Sequence, residues 1–570
     1  MYGFNISRLL FFNGLLCFLT VASPLLPRNS TEQYTFAQIP PSKDLVWYPC
    51  FTTYFCAVLD APLDYNDRKE GRSYIPLIKS PAASTTPYKG MLLTNPGGPG
   101  QSGINLVFEI SSFAAEILPS YDIVSWDPRG IGYAVPVANC TLSSNLTAPA
   151  AKRRSLDKIY GPELPTQYFE HAYQVGYEAG QECGSSIGGP KDAGPHMATA
   201  TVARDMILIL DAYAKTEEGK LCGEDASLLN YWGFSYGTFL GETFASRYPH
   251  RVGKVVLDGV IDPDDWVSGV GLTEIALTDE VFSTFFLYCN LAGPSLCPYY
   301  TGTTAHDIYL RFEALVNQLN ATYAIQQKWA NATAIEVVLQ GIKELAFSWS
   351  YTPIDTFPDI ATLLVGIEDL IAAGLTLAAV EAAEAQLGVN ISEPLEVSEL
   401  WLFGVSCTDQ GGKYYGLTLQ DFANDTRTLE AASWLAGEQQ ISNKYFCAGW
   451  DIKTDYRYAG PFGGNTINPI LFVSNTLDPV TPIYNGQKGT RIFNDAQLLT
   501  IEGIGHTSTA THNTCGFGKI SAFFESGTLP GKDNYCSLET GPWNVTTTGS
   551  LTKRSEVLEI RERIGGLKNL

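Results

Sequence analysis

Basic residues are scarce. The 570-residue chain holds 37 Lys and Arg against 59 Asp and Glu, a net charge of −22. Nucleic acids and anionic membrane surfaces select a basic footprint, so neither is expected as a partner. Histidine is scarcer still, at six. No Cys-x-x-Cys or Cys/His cluster has the spacing of a metal site, and neither metal nor other cofactor is expected. Long uninterrupted apolar runs are also missing. The nearest approach after the N-terminus, residues 363–383, carries Glu368, Asp369 and Glu381, which fits a mostly buried helix and not a membrane span. No stable membrane anchor is expected.

What is present is a globular composition, 45% hydrophobic and 17% charged, in a chain too long for one plain core. The apolar stretch from Leu9 to Ala22 is interrupted by Asn13 and Gly14 and falls short of the ~20 residues of a spanning helix. It reads as a secretory signal peptide over residues 1–22. Cysteine use agrees with export. Of 12 cysteines, Cys17 lies in the signal. Cys50 and Cys56, Cys289 and Cys297, and Cys515 and Cys536 are near neighbours. Cys407 with Cys447 and Cys140 with Cys183 would close longer loops, leaving Cys222 odd. Sequence alone leaves the connectivity open. Eight Asn-x-Ser/Thr sequons follow the signal, at Asn29, Asn139, Asn145, Asn320, Asn331, Asn390, Asn424 and Asn544. A secreted glycoprotein with disulfides is the expectation.

Short apolar runs at 72–78, 89–95, 121–127, 228–234 and 253–259 alternate with helical patterns, notably residues 196–215. That alternation predicts a mainly parallel sheet with helices on both faces. From about residue 272 long helical patterns take over (305–320, 332–347, 360–387), and strands return at 469–475 and 496–503. The fold class is α/β with a large helical lid inserted into the sheet. The expected boundaries are 45–270 and 461–540 for the core, 271–460 for the lid and 541–570 for a polar, peripheral tail.

Gly233-Phe234-Ser235-Tyr236-Gly237 ends one apolar run and opens an amphipathic pattern. Strand, sharp turn and helix form the setting of a nucleophile elbow, and Ser235 is its nucleophile. Such a serine needs a base oriented by a carboxylate, both in loops after later strands. His171 and His196 precede the serine. His250 falls in a surface loop and His306 opens a lid helix. His506 follows a strand in a glycine-flanked turn and is the predicted base, with His512 the alternative. Asp478 follows the preceding strand and is the predicted acid, ahead of Asp451 and Asp495. The loop of residues 94–103, TNPGGPGQSG, lacks the lysine of a phosphate-binding loop. Beside a triad it fits half an oxyanion hole, with one N–H from Gly98 and the other from Tyr236.

The motifs at 95–103, 126–132 (WDPRGIG), 231–241, 257–263 (LDGVIDP), 475–482 (NTLDPVTP) and 503–508 (GIGHTS) together resemble the secreted prolyl- and tripeptidyl-aminopeptidase branch of the α/β hydrolases. The resemblance runs from about Trp47 to Cys536. It implies Ser235, Asp478 and His506 as triad, Gly98 and Tyr236 as oxyanion donors, and Asp127 and Arg129 as a structural turn. It also implies peptide substrates with a free N-terminus, no cofactor, and lid carboxylates holding the substrate ammonium. Candidates for those are Glu313, Glu336, Glu344, Asp355, Asp359, Glu368 and Asp369. Proline-releasing relatives begin the glycine loop with His. Here it begins Asn95-Pro96, which is closer to the tripeptidyl form. A secreted carboxylesterase or lipase, and a non-catalytic binding protein on the same fold, remain alternatives, and the oligomeric state stays open.

Overall fold

The computed structural model describes residues 32–83, 86–140, 166–326, 332–374, 400–454, 456–545 and 551–567. The expected signal peptide and Asn29, Asn145, Asn331 and Asn390 lie outside them. Ten strands form one sheet: β1 (Tyr48–Cys50), β2 (Tyr54–Pro62), β3 (Arg72–Ser80), β4 (Gly90–Asn95), β5 (Tyr121–Trp126), β6 (Leu229–Phe234), β7 (Val252–Asp258), β8 (Ile470–Leu477), β9 (Gln497–Ile504) and β10 (Tyr535–Cys536). Their spatial order is β1-β2-β3-β5-β4-β6-β7-β8-β9-β10. From β5 to β10 neighbouring strands run parallel, while β1, β2 and β3 pair antiparallel at one edge.

The central strands are buried on both faces, which is why they read as near-continuous apolar runs. Consecutive residues divide strictly between the faces. Leu93, Val124, Tyr231, Val255 and Phe472 pack with Met206, Leu210, Leu240 and Phe244 of the helices Thr199–Tyr213 and Tyr236–Arg247. Their neighbours Leu92, Ile123, Trp232, Val256 and Leu471 pack with Val107, Ile520 and Phe524 of the helices Gly103–Ile117 and Thr514–Ser526. Each fully buried side chain of this size contributes about 1.5–3 kcal/mol of transfer free energy, so a one-residue slip of any central strand would exchange the two cores.

β7 and β8 are sheet neighbours, yet the chain between them leaves the sheet. It forms the helices Pro263–Ser268, Thr278–Ala292, Ala305–Gln326, Ala332–Trp349, Pro353–Ala373, Leu400–Asp409, Ala423–Ala432 and Gly437–Gly449. Phe282, Phe285, Phe286, Phe312 and Phe357 build a separate apolar core there. A mostly parallel sheet, helices on both faces and this helical excursion make the α/β-hydrolase fold with a large helical insertion.

Three features were not read from the sequence. β2 is a nine-residue strand whose burial does not alternate simply, and it went unrecognised. The helix Thr166–Ile187 precedes β6 in the chain but packs on the insertion's Gly437–Gly449 helix. Gly176, Gly180 and Gly184 recur every four residues, and a Cβ on Gly180 would come within 2.2 Å of Phe446 O. The tail is not peripheral: Val557, Ile560 and Ile564 are buried in the insertion's core at helical spacing.

Five disulfides join Cys50 to Cys56, Cys140 to Cys183, Cys289 to Cys297, Cys407 to Cys447 and Cys515 to Cys536, and the odd cysteine, Cys222, is buried beside Tyr213. Asn139, Asn424 and Asn544 are exposed and Asn320 is half-buried. Among the described residues no helix is long and apolar enough to cross a membrane.

Candidate active site

Ser235 sits between β6 and the helix Tyr236–Arg247 with φ 55° and ψ −125°. A side chain held at positive φ costs on the order of 1–3 kcal/mol and persists only where its surroundings overdetermine it. Here the Ser235 N–H donates to Asp258 O at 3.0 Å, and Ser235 O accepts from Thr238 N at 2.8 Å and from Thr238 Oγ1 at 2.7 Å. The flanking glycines are sterically required. A Cβ on Gly233 would stand 2.5 Å from Gly237 O, and one on Gly237 would stand 2.8 Å from Asn95 O. The turn therefore presents the hydroxyl instead of burying it, and Ser235 lines a cavity.

His506 and Asp478 meet. The imidazole Nδ1 lies 3.0 Å from each carboxylate oxygen of Asp478, so Nδ1–H donates to the carboxylate and Nε2 is left as an acceptor. Asp478 is fully buried and also accepts from the N–H groups of Val480, Thr481 and Thr507 at 2.8–3.0 Å. Burial opposes its ionisation, but His506 and these donors together hold its pKa below the ordinary carboxylate value. The His506 turn is fixed from three further sides. Its own N–H donates to Tyr351 O at 2.8 Å, and the Tyr351 ring packs edge-on, 5.1 Å between centroids. Asn475 Nδ2 donates to Gly505 O and Thr507 O. Asp258 accepts from Ser508. His506 Nε2 is buried and has no hydrogen-bond partner among the described residues, the Ser235 hydroxyl included. Such contacts commonly tighten only when substrate is bound. His512 and His250 are exposed, His196 bonds Pro190 O, and Asp451 and Asp495 are exposed away from the imidazole.

The glycine loop lies against the elbow. A Cβ on Gly97 would stand 2.5 Å from Phe234 O and 3.0 Å from Tyr236 N, so the approach demands glycine. Gly97 N–H is spent on Asn95 Oδ1 at 3.1 Å. Among the described residues neither Gly98 N–H nor Tyr236 N–H finds an acceptor, and Gly98 borders the cavity beside Ser235. Asp127 closes the loop from behind, accepting from Ser102 Oγ at 2.6 Å and Tyr133 N at 2.9 Å. Arg129 bonds Asp205 and the carbonyls of Pro62 and Leu63. Both hold the frame and neither faces the cavity.

The cavity encloses about 190 Å³ between the sheet's C-terminal edge and the insertion. Trp266, Ile275, Phe347, Tyr351 and Phe403 give it an apolar wall. The carboxylates in it are ones the sequence did not single out. None of the described side chains among the seven lid candidates lines it, and the Glu336 side chain lies outside the described residues. Glu368 is paired with Arg311 instead. Asp265 and Glu274 line it, from the connection just after β7. Asp265 is consumed by its own loop, accepting from Gly271 N, Thr273 N and Thr273 Oγ1 at 2.6–3.1 Å. Among the described residues Glu274 accepts only from Gln440 Nε2, at 2.9 Å to Oε2. Burial, with Asp265 nearby, pushes its pKa up to about 7. Among the described residues no group of His, Cys, Asp and Glu could hold a metal ion.

Residues 432–536 match the family described as TAP-like protein. Carboxylesterase B of Mycobacterium tuberculosis is 27% identical, covering 93% of this chain and 98% of that protein. Serine protease Hip1 of the same species is 26% identical over 86% of this chain and 90% of its own length. Tripeptidyl aminopeptidase of Streptomyces coelicolor is 24% identical over 85% and 84%. The family resemblance read from the motifs therefore stands: a chain of the α/β-hydrolase fold carries a segment that matches the TAP-like family, and it is similar over most of its length to a named esterase, a serine protease and a tripeptidyl aminopeptidase.

Proposed function

We propose that the protein is a secreted serine exopeptidase that removes short peptides from free N-termini. His506 Nε2 takes the proton of Ser235 as the serine oxygen attacks the scissile carbonyl. Asp478 holds the imidazole in the required tautomer and stabilises the imidazolium. The N–H groups of Gly98 and Tyr236 donate to the oxyanion of the tetrahedral intermediate. His506 then protonates the leaving amine, and water, activated by the same imidazole, releases the acyl group from Ser235. The hydrogen bonds from His506 to Asp478, beside an elbow serine in the cavity wall, support this chemistry. Disulfides persist in oxidising compartments, which supports export.

The observation that carries the peptidase reading is Glu274. A half-buried carboxylate with one neutral partner, in the same cavity as Ser235, suits a substrate ammonium and has no use to an aliphatic ester. The test is hydrolysis of peptide arylamides with free and acetylated N-termini beside short-chain esters, with Ser235→Ala as control. Turnover of free-amine peptides, lost in Ser235→Ala and on acetylation, is expected. Activity on esters alone would favour the reading suggested by the esterase relative. Failure of a fluorophosphonate to label Ser235 would favour a binding protein.

A further inference from the structure

Asp258 closes β7 with no ion pair to a cation among the described residues. Its side chain is fully buried. Its carboxylate accepts from Ser508 N at 2.8 Å, Ser508 Oγ at 2.5 Å and Trp232 Nε1 at 3.2 Å. Burial pushes its pKa up to about 6, against those hydrogen bonds. A buried carboxylate held by neutral donors alone is costly, and for packing alone an apolar residue would serve β7 as well. What it reaches is informative. Ser508 lies two residues beyond His506 in the turn that carries the base. Through its main-chain carbonyl Asp258 also accepts the Ser235 N–H at 3.0 Å, in the turn that carries the nucleophile. Gly259, next in sequence, is as close: a Cβ there would stand 2.8 Å from Thr507 Cγ2 and 3.3 Å from His506 Cε1. Asn475 grips the carbonyls on either side of His506, but it touches only that turn.

We propose that Asp258 is a positioning residue for the Ser235–His506 pair, setting the base's turn through Ser508 and the nucleophile's turn through its own carbonyl. This rests on the serine-hydrolase reading of the site. Asp258 touches no reacting atom, so its removal acts on the alignment of base and nucleophile and not on the wall that binds substrate. A misplacement near 1 Å costs a reaction of this kind up to about 100-fold.

The experiment compares Asp258→Asn, Ser508→Ala and the double variant on one peptide arylamide, with folding checked by thermal melting. Asn keeps the shape and one acceptor oxygen but cannot serve three donors. Asp258→Asn is expected to lower kcat about 10- to 100-fold with KM within about twofold. Ser508→Ala should act in the same direction, and the double variant should be no worse than Asp258→Asn, because the two share one contact. A folded Asp258→Asn with wild-type kcat, or losses that simply multiply, would overturn the proposal. Should Asp258→Asn fail to fold, Ser508→Ala reads the same contact from the other side, and wild-type kcat in it is equally fatal. Wild-type protein without Ser235-dependent turnover would instead remove the hydrolase reading, an outcome the Ser235→Ala control separates from the first.

Discussion

The sheet and its helical insertion divide the labour of one cavity. The sheet side contributes groups whose positions are fixed by hydrogen bonds, with only the His506 Nε2 and the Gly98 and Tyr236 N–H groups left to face a ligand: Ser235 in a locked turn, Asp478 with donors on all sides, His506 held from strands β7 and β8. The insertion side contributes an apolar wall and polar groups with capacity to spare, chiefly Glu274 and the amides near it. Rigid satisfaction suits groups that must be aligned before substrate arrives, and unspent hydrogen-bonding capacity suits groups that wait for a ligand. The two sides still touch at one point of the proposed triad, since Tyr351 of the insertion supplies the carbonyl and the ring edge that seat His506.

The sharpest way to break this division is to disable the sheet side while leaving the cavity alone. Asp478→Asn removes a carboxylate that fixes the Nδ1–H tautomer, and an amide there lets the imidazole settle in the wrong one. The fall in kcat is expected to be on the order of 10⁴, with KM little changed. Steady-state kinetics on a free-amine arylamide measure it. A loss of less than tenfold would mean that Asp478 does not orient the base.

This same contrast governs what the sequence disclosed. Ser235, Asp478 and His506 each follow a strand whose apolar run is unmistakable, and the elbow glycines are steric necessities, so local pattern and chain order were enough to single them out as the proposed triad. Glu274, Tyr351 and Asp258 carry no such mark. Glu274 faces the cavity because Asp265 folds the connection after β7 back on itself, through hydrogen bonds to Gly271 and Thr273. Tyr351 depends on where a helix some 150 residues upstream of His506 docks, at the break between Ala332–Trp349 and Pro353–Ala373. Which lid carboxylate points inward is a matter of helix rotation in a region with apolar residues on several faces. Periodicity predicted the helices well and their facing poorly. The glycines at 176, 180 and 184 could have signalled the close helix packing, since small residues at four-residue spacing mark a close-approach seam.

A second break attacks the insertion alone. Lys343 and Glu438 form an ion pair at 2.9 Å, 2% and 4% exposed, joining the helices Ala332–Trp349 and Gly437–Gly449 that bear Phe347 and Gln440. Glu430 lies close by, its pKa pushed up to about 8 by burial and by Glu438. Lys343→Met leaves these carboxylates without their cation and should cost about 3–5 kcal/mol locally. If the division holds, the insertion loosens while the sheet stays folded. Fluorophosphonate labelling of Ser235 should persist, kcat/KM on peptides should fall, and limited proteolysis should cut within residues 263–449. Parallel loss of labelling and turnover would show that the two regions fold as one unit.

The smallest expected effect is also the most selective. Glu274 must be ionised to hold an ammonium, and with its pKa raised to about 7 it becomes so as pH rises through neutrality. A peptide amine loses its own proton near pH 8. KM for free-amine substrates should therefore fall between about pH 6 and 7.5 and rise again above about 8. Glu274→Gln preserves shape and a hydrogen-bond acceptor but forfeits the charge, worth about 1.5–3 kcal/mol, or roughly 10- to 100-fold in KM. The variant should lose the fall in KM near neutrality, keep its kcat, and leave any residual turnover of acetylated peptides untouched. Equal losses on free and acetylated substrates would make Glu274 a wall residue and return the choice between peptide and ester to the acyl side of the cavity. A loss confined to the free amine would instead trace the preference for N-termini to one carboxylate beside the sheet, at the junction where β7 hands the chain to the insertion.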